Sequence, residues 1–507
     1  MSAEHVEARP GAYADSVTLM RVSADVRQAD GVQAALIAMA TELNLGLLPE
    51  MGFRPPQDAG PNHLLVAVRA SDDAALAGAL AVVDTALSAR ALSATLGASL
   101  VQAPRTTGAA VRAGGPGLAL ISVPGRYAFA EAMDALEAGC DVMIFSDNVP
   151  VEEEIMLKDF AARRDLIVMG PDCGTAIVGG VGLGFSHTLA AGPVGIVAAS
   201  GTGAQQVLCL LDYAGAGVSA ALGVGGRDLS AAIGGRSARA ALALLDANPG
   251  TELIMVVSKP PAAEVAAGLR DFAARLQTPV QFALVAPGEP DLTAATETAI
   301  TALGLPVPAW PRWPGEVPDG EVRSGAGHRV PQNGGALRGL FAGGTLCDEA
   351  MVIASDRLGP IRSNIPLRPE LSLAAREPVL GATVAGHVMI DFGDDELTMG
   401  RAHPMIDQSL RLERLAAEAA DPAVSVVLLD VVLGHGAHPD PAAELGPAIA
   451  AARASGGVAV VVSLIGAASD PQRLGRQAAA LQAAGADVFA SNAAAARFAC
   501  DLIEGAL

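Results

Sequence analysis

Most of the residues in this chain that could do chemistry stand in glycine-rich turns. Ser200, Gly201, Thr202 and Gly203 follow an apolar run and open a helical pattern, with Val207, Leu208, Leu210 and Leu211 apolar and Gln205 and Gln206 polar. Gly343, Gly344 and Thr345 stand in the same setting further along. A helix N-terminus presents unpaired backbone N–H groups and partial positive charge, so its natural guest is an anion, most often phosphate. The same residues also read as ordinary helix caps. Gly225 and Gly226 close a second strand after the first of these turns. Lys259, between Ser258 and the Pro260-Pro261 turn, could bring fixed positive charge to a developing phosphate, or could be an exposed lysine beside a turn. Asp391, Asp394 and Asp395 in the string DFGDD could hold Mg²⁺ with a phosphate, or cap a solvated turn. His435, in a Gly-rich strand-end turn, is the best placed histidine for acid–base work; His387, His403 and His438 fit structural roles better. Arg126 and Arg401 could clamp a carboxylate. Pro124, Gly125 and Asp172 mark two further strand ends of the kind at which parallel sheets bind ligands. Cys173 has no neighbour in sequence to activate it and is not taken as a nucleophile.

The elements that carry these residues follow from composition and rhythm. At 507 residues the chain is too long for one core and suggests roughly three to four domains. Hydrophobic residues make up 51% but aromatic ones only 3%, so Ala, Val, Leu and Gly must fill close-packed helix-on-sheet layers. A net charge of -21 argues against nucleic acid and against an anionic membrane surface, and means that any phosphate site needs local positive potential. Lysine occurs only at Lys158 and Lys259. Five scattered cysteines without metal spacing, and a polar N-terminus, read as a reduced, cytoplasmic chain. Residues 173–211 carry no charge, but their glycine content suits a buried sheet rather than a membrane span.

In order, residues 1–95 read as a small α+β unit, ferredoxin-like, with strands at 17–22 and 63–69 and helices at 32–48 and 72–90. A connector at 96–114 opens a Rossmann-like, CoA-binding-type domain over 96–190, whose short apolar strands alternate with helices. Residues 191–304 and 335–507 read as two flavodoxin-like units of the ligase type, weakly repeating one another. A Pro/Gly-rich linker with Trp310 and Trp313 joins them over 305–334. The fold class is therefore α/β, with several doubly wound parallel-sheet domains behind a small N-terminal α+β domain.

The order of motifs resembles the succinyl-CoA synthetase superfamily. VPGRYAFAEAMDALEAGCDVMIFSDNVPVEE, MGPDCG, VGIVAASGTGAQQ and LGVGGRDL resemble the α-subunit; LFAGGTLCDEAM, VMIDFGDDE, VVLLDVVLGHG and VAVVVSLIGAASDP resemble the carboxyl-terminal domain of the β-subunit. Both on one chain, with KPP and IDFGDDELTMGRAHPMID, resemble the FdrA family over about residues 15–300 and 335–500. Its members are named acyl-CoA synthetase-like, and some are implicated in purine-nitrogen catabolism as part of an oxamate carbamoyltransferase. In the synthetases, two facing helix N-termini hold the phosphate of a phosphohistidine, which a glutamate supports. Here no histidine follows 279–285 in the third segment, and Ser258-Lys259-Pro260-Pro261 stands where the glutamate would be. No segment resembles an ATP-grasp domain, and the GxTGxxG turn that receives CoA has no counterpart.

Two phosphate-suited turns without a phosphohistidine imply a phosphate that arrives and leaves as substrate. The leading expectation is a subunit of a carbamoyl-transfer enzyme, converting oxamate and carbamoyl phosphate to and from oxalurate and phosphate. The second is an acid–CoA ligase working with a separate nucleotide-binding chain, and the third a non-catalytic scaffold or regulatory subunit that binds a phosphorylated ligand. CoA and Mg²⁺ are the cofactors to weigh. Expected partners are a carbamoyl or acyl phosphate or phosphate itself, and subunits from the same pathway, in an oligomer, with neither nucleic acid nor membrane.

Overall fold

A computed structural model describes residues 2–11, 16–56, 59–95, 104–115, 117–313, 335–373, 384–398, 401–456 and 458–505. They form two compact units, one built from the residues up to 113 together with 401–402, and one from the rest of the chain from Gly114 onward.

The first unit runs β1 (Ala3–Arg9), α1 (Ser16–Arg27), β2 (Val32–Met39), α2 (Glu42–Glu50), β3 (Leu64–Ala70) and α3 (Asp73–Thr95). Its sheet has the order β1-β3-β2 and is antiparallel throughout. The central strand is buried on both faces. Leu64, Val66 and Val68 pack with Leu19, Val22, Val26 and Val83, while Leu65 and Ala67 pack with Leu48 and Phe53. Two sequence expectations are corrected here. Residues 17–22 are helical, because Leu19, Val22 and Val26 recur three and four apart and bury one helix face. Residues 32–48 split: 32–39 form a strand in which Ala35 and Ile37 alternate inward along β3, and Thr41 then caps α2 by accepting from the Asn44 amide at 3.3 Å. Pairing with β3 outweighs the helix preference of an Ala/Leu-rich stretch, since strand propensity depends on packing context. In the expected connector, 107–114 form α4 (Thr107–Gly114).

The second unit opens with β4 (Leu118–Ile121), α5 (Gly125–Glu137), β5 (Asp141–Ile144), α6 (Val151–Ala162) and β6 (Val168–Met169), a three-stranded parallel sheet in the order β4-β5-β6. A hairpin, β7 (Thr175–Val178) and β8 (Val181–Gly184), then joins a second sheet. That sheet is made by β9 (Ala191–Ala199), α7 (Gly201–Tyr213), β10 (Val218–Gly223), α8 (Arg236–Asp246), β11 (Leu253–Ser258), α9 (Ala263–Ala273), β12 (Val280–Leu284) and α10 (Leu292–Ala302). Its order is β12-β11-β9-β10-β7-β8, with β9 to β12 parallel.

The third sheet starts with β13 (Arg312–Trp313), an edge strand formed by residues expected in the linker, and continues with β14 (Ala336–Phe341), α11 (Gly344–Leu358), β15 (Ile361–Ser363) and β16 (His387–Asp391). It is completed by α12 (Asp395–Thr398), α13 (Ser409–Ala420), β17 (Val424–Val432), α14 (Pro441–Gly456), β18 (Ala459–Ile465), α15 (Leu474–Ala483), β19 (Asp487–Phe489) and α16 (Asn492–Glu504). The order is β13-β19-β18-β17-β14-β16-β15, parallel except at β13. Trp310 is anchored by donating to Glu297 at 2.7 Å; 314–334, with His328, lie outside the described residues.

The two larger sheets share one logic. In each, the first strand of the parallel run lies between later ones: β9 between β10 and β11, β14 between β16 and β17. Strand order reverses there, and such a switch point is where doubly wound sheets bind ligands, beyond the carboxyl ends of the strands. The helices that leave the two switch points are α7 and α11. The strands behind them, β11, β14, β17 and β18, are buried along their whole length, as strands covered by helices on both faces must be.

Candidate functional site

The N-termini of α7 and α11 meet directly. Ser200 leaves β9 in extended backbone and caps α7, its Oγ accepting from the Gly203 amide at 3.0 Å. The same hydroxyl donates to Thr345 Oγ1 at 2.8 Å, in the first turn of α11. A Cβ on Gly203 would stand 2.8 Å from Thr345 Cγ2, and one on Gly343 would stand 2.5 Å from Thr202 Oγ1 and Cγ2. Glycine at 203 and 343 is therefore what lets the helices approach. Gly201 faces open space, and its amide and that of Thr202 have no acceptor among the described residues.

At α11, protein carboxylates already take part of the positive end. Asp430, at the end of β17, accepts from the Ala342 amide at 2.7 Å and the Gly343 amide at 2.9 Å, and is paired with Arg411 at 3.1 Å. The Gly343 amide is thus not open to a ligand; Gly344 and Thr345 carry the amides without acceptors among the described residues. Asp391, at the end of β16, places Oδ2 2.7 Å from where a Gly344 Cβ would be, and its Oδ1 accepts from the Gly393 amide at 2.9 Å. Burial drives the Asp391 carboxyl well above its ordinary range, and Asp394, Asp348 and Asp430 push the same way. Asp394 accepts from the Glu396 amide at 3.1 Å, which makes it a cap of α12.

The loops after β4, β5, β6 and β10 converge beside this seam. Gly125 opens α5 after Pro124 with room only for hydrogen, since a Cβ would lie 2.2 Å from Asp147 O. Gly225, at φ +89°, is held against Pro171 O, which a Cβ would approach to 2.3 Å. Gly226 is pinched: a Cβ there would lie 3.2 Å from Lys259 Nζ and 3.3 Å from Asp172 Oδ2. Lys259 is exposed at the end of β11, and no carboxylate oxygen lies within 4.0 Å of it among the described residues. It holds down three carboxyls that their surroundings raise. Burial takes Asp172 to about 7, with Asp395 and Asp147 adding and Lys259 and Arg227 opposing. Asp172 is exposed, so water reaches a carboxyl whose surroundings raise it. Burial likewise takes Asp348, at the start of the second turn of α11, to about 7 against Lys259. Asp395 rises through burial and through Asp147 and Asp394. The site is therefore less negative at neutral pH than its formal charges suggest.

The other lysine is structural: Lys158 is buried, pairs with Glu154 and Asp228 at 2.7 Å each, and donates to Val224 O at 3.1 Å. The histidines go elsewhere. The imidazole of His435 meets the Thr188 hydroxyl at 3.0 Å and its backbone pairs with Ser186; none of its contacts is with Lys259 or the helix ends. His387 and His438 are tied to the Leu337 amide and to Glu444. Burial lowers His403 to about 4; its Nδ1 accepts from the Met405 amide, its ring lies on Phe185, and its Nε2 is 2.9 Å from where a Gly393 Cβ would be. Arg126 lies over the Tyr127 ring and Arg401 is exposed. Cys173 is buried and pushed up to about 12, so it stays a thiol.

Three groupings were not legible in the sequence: Asp348, the sealed Asp430–Arg411 pair, and His187 with Asp470 at 2.7 Å, both fully buried. Asp348 alone had a signal, an acid one turn after the Gly344-Thr345 pair.

Residues 340–502 match the CoA-ligase family, and 1–102 match the AllF heavy metal-associated domain. The latter stretch contains no cysteine, and no group of three or more His, Cys, Asp or Glu among the described residues could hold a metal, so a thiolate metal site does not fit it. The chain is 37% identical over 450 residues to the uncharacterized protein YahF of Escherichia coli, covering 85% of this chain and 84% of that one. It is 30% identical over 156 residues to the succinate–CoA ligase (ADP-forming) subunit alpha of Aquifex aeolicus, 30% of this chain and 50% of that one. Among solved structures, the dinucleotide-forming acetyl-coenzyme A synthetase 1 of Ca. Korarchaeum cryptofilum, in complex with phosphate and ADP, covers 77% of this chain and 84% of its own, at 17% identity and a TM-score of 0.27. No helix among the described residues is long and apolar enough to cross a membrane.

Proposed function

Since this chain belongs to the FdrA-like, acyl-CoA synthetase-like branch of the succinyl-CoA synthetase superfamily, we propose that it is a subunit of a carbamoyl-transfer enzyme. In this reading it moves a carbamoyl group between carbamoyl phosphate and the amide nitrogen of oxamate, giving oxalurate and phosphate, and runs in reverse as phosphorolysis. The observation that carries it is the meeting of the two helix N-termini through Ser200 and Thr345, with Lys259 as a cation on the adjoining strand end that forms no ion pair among the described residues. The amides of Gly201, Thr202, Gly344 and Thr345 and the ammonium of Lys259 would take the phosphate, and would stabilise the charge that develops as the C–O bond breaks. Losing one such preorganised donor typically costs about 10²- to 10³-fold in turnover.

An acid–CoA ligase working with a separate nucleotide-binding chain is the second reading. It is favoured by the CoA-ligase match and by His403, whose ring stands beside Gly393 and Asp391 near the start of α11. Against it, the Met405 amide occupies Nδ1, so the neutral ring carries its proton on Nε2, a donor rather than a phosphoryl acceptor. The CoA side fits no better. The β4-β5-β6 sheet begins at Leu118, and no strand ahead of it among the described residues leads into a CoA-type glycine turn.

The test is phosphate-dependent breakdown of oxalurate by the purified protein with its partner subunits, together with calorimetric titration of carbamoyl phosphate, phosphate and CoA. Turnover that needs phosphate but neither CoA nor ATP is expected. Oxalurate left intact, or turnover that requires CoA, would sink the reading.

A further inference from the structure

Asp348 differs from the acids around it. Its residue is only 6% exposed, yet no described residue donates a hydrogen bond to its carboxyl. Buried carboxyls are ordinarily satisfied, and those around it are: Asp430 by two amides and Arg411, Asp391 by the Gly393 amide, Glu349 by the Leu292 amide and Asn492. The cation whose field Asp348 feels is Lys259 at the end of β11, which makes no ion pair with it. From its own sheet it feels Asp391 at the end of β16, and next to it in α11 is the buried Cys347 thiol. Asp172 and Asp395 share the same lysine from the loops after β6 and β16. A carboxyl on a residue only 6% exposed, without a protein donor, one turn from the Ser200–Thr345 contact and within the field of a lysine, points to a ligand that supplies the missing partner.

Resting on the carbamoyl-transfer reading, we propose that Asp348 is the acid–base group of the reaction, taking the proton from the amide nitrogen that attacks the carbamoyl carbon. The new bond is C–N and the broken one is the C–O bond to phosphate, whose oxygen keeps the electron pair. The nitrogen's proton passes to Asp348 and on to that oxygen, so phosphate leaves as hydrogen phosphate and Asp348 returns to carboxylate. Burial suits the group to this work, since a carboxyl at about 7 both takes up and releases a proton near neutrality. Asp172 is open to water, and its proton exchanges with bulk solvent instead.

The experiment is kcat for carbamoyl transfer against pH in wild type, Asp348→Asn and Asp348→Glu, using the full chain with its partner subunits, with phosphate binding measured in parallel. In wild type kcat rises through about 7 and levels off. Asp348→Asn lowers kcat about 10²- to 10³-fold and removes the rise while phosphate still binds, as loss of a general base requires; Asp348→Glu keeps the rise. Asp348→Asn within threefold of wild type, or with the rise intact, overturns the assignment while leaving carbamoyl transfer standing. Wild type without phosphate-dependent carbamoyl transfer overturns both.

Discussion

Gly343→Ala puts the contact between the helix ends under direct strain. Gly343 has φ −119° and ψ 115°, which alanine adopts freely, so the substitution costs nothing in backbone strain and acts only through its methyl group. That methyl would lie 2.5 Å from Thr202 Cγ2 and Oγ1 and 2.6 Å from Thr202 Cβ. Ordinary contact is roughly 3.5–4.0 Å, so the shortfall is about 1 Å. Thr202 is β-branched, helical and buried, and cannot swing aside. The helix ends must therefore part by about 1 Å, stretching the 2.8 Å bond from Ser200 to Thr345. Overpacking of this kind costs about 1–3 kcal/mol, and loss of the bond about 1 kcal/mol more. A 1 Å misplacement of the two anion-binding turns should also lower turnover about 10²-fold. Scanning calorimetry reads the first effect, and oxalurate phosphorolysis the second. The control is Thr202→Gly, which removes all three opposing atoms: in that background Gly343→Ala should cost about 1 kcal/mol or less, the difference being the coupling between the two sites. Equal cost in both backgrounds, or a Gly343→Ala protein as stable and active as wild type, would refute the reasoning.

The two lysines should part company. Lys259→Met should lose about 10²- to 10³-fold in phosphate-dependent turnover with little change in melting temperature, because it is exposed and forms no ion pair among the described residues. Lys158→Met should instead lose about 3–5 kcal/mol of stability, read by calorimetry, because it leaves Asp228 buried without its cation and Glu154 with Arg227 alone. Glu349, sealed in the seam and raised by burial to about 7, sets a pH dependence of stability. Its folded value lies above its unfolded one, so its contribution is fully present below the ordinary glutamate range and is lost as pH rises through about 7. That amounts to about 1 kcal/mol between roughly pH 6 and 8, and Glu349→Gln should flatten the melting temperature across that window.

The sequence alone determined the alternation of strand and helix through both larger sheets, the turns that end their first strands, and the family. Those signals are local: apolar runs four to nine residues long, glycine where a helix begins, and strings such as GGTLCDEAM that survive without reference to the rest of the chain. Local signals also misled. Residues 17–22 and 32–39 exchange strand and helix because the sheet they join, not their own propensity, decides which face is buried. Nor could the sequence say that Ser200 and Thr345, 145 positions apart, share a hydrogen bond, that Asp430 would claim the Gly343 amide, or that His435 would turn toward Thr188 rather than the helix ends. These depend on the orders in which strands assemble and on which loops meet at the switch points. The charge state of Asp348 lies furthest from the sequence. The same aspartate on an open helix would be an ordinary carboxylate; only burial, which Lys259 from another sheet opposes, raises it to about 7.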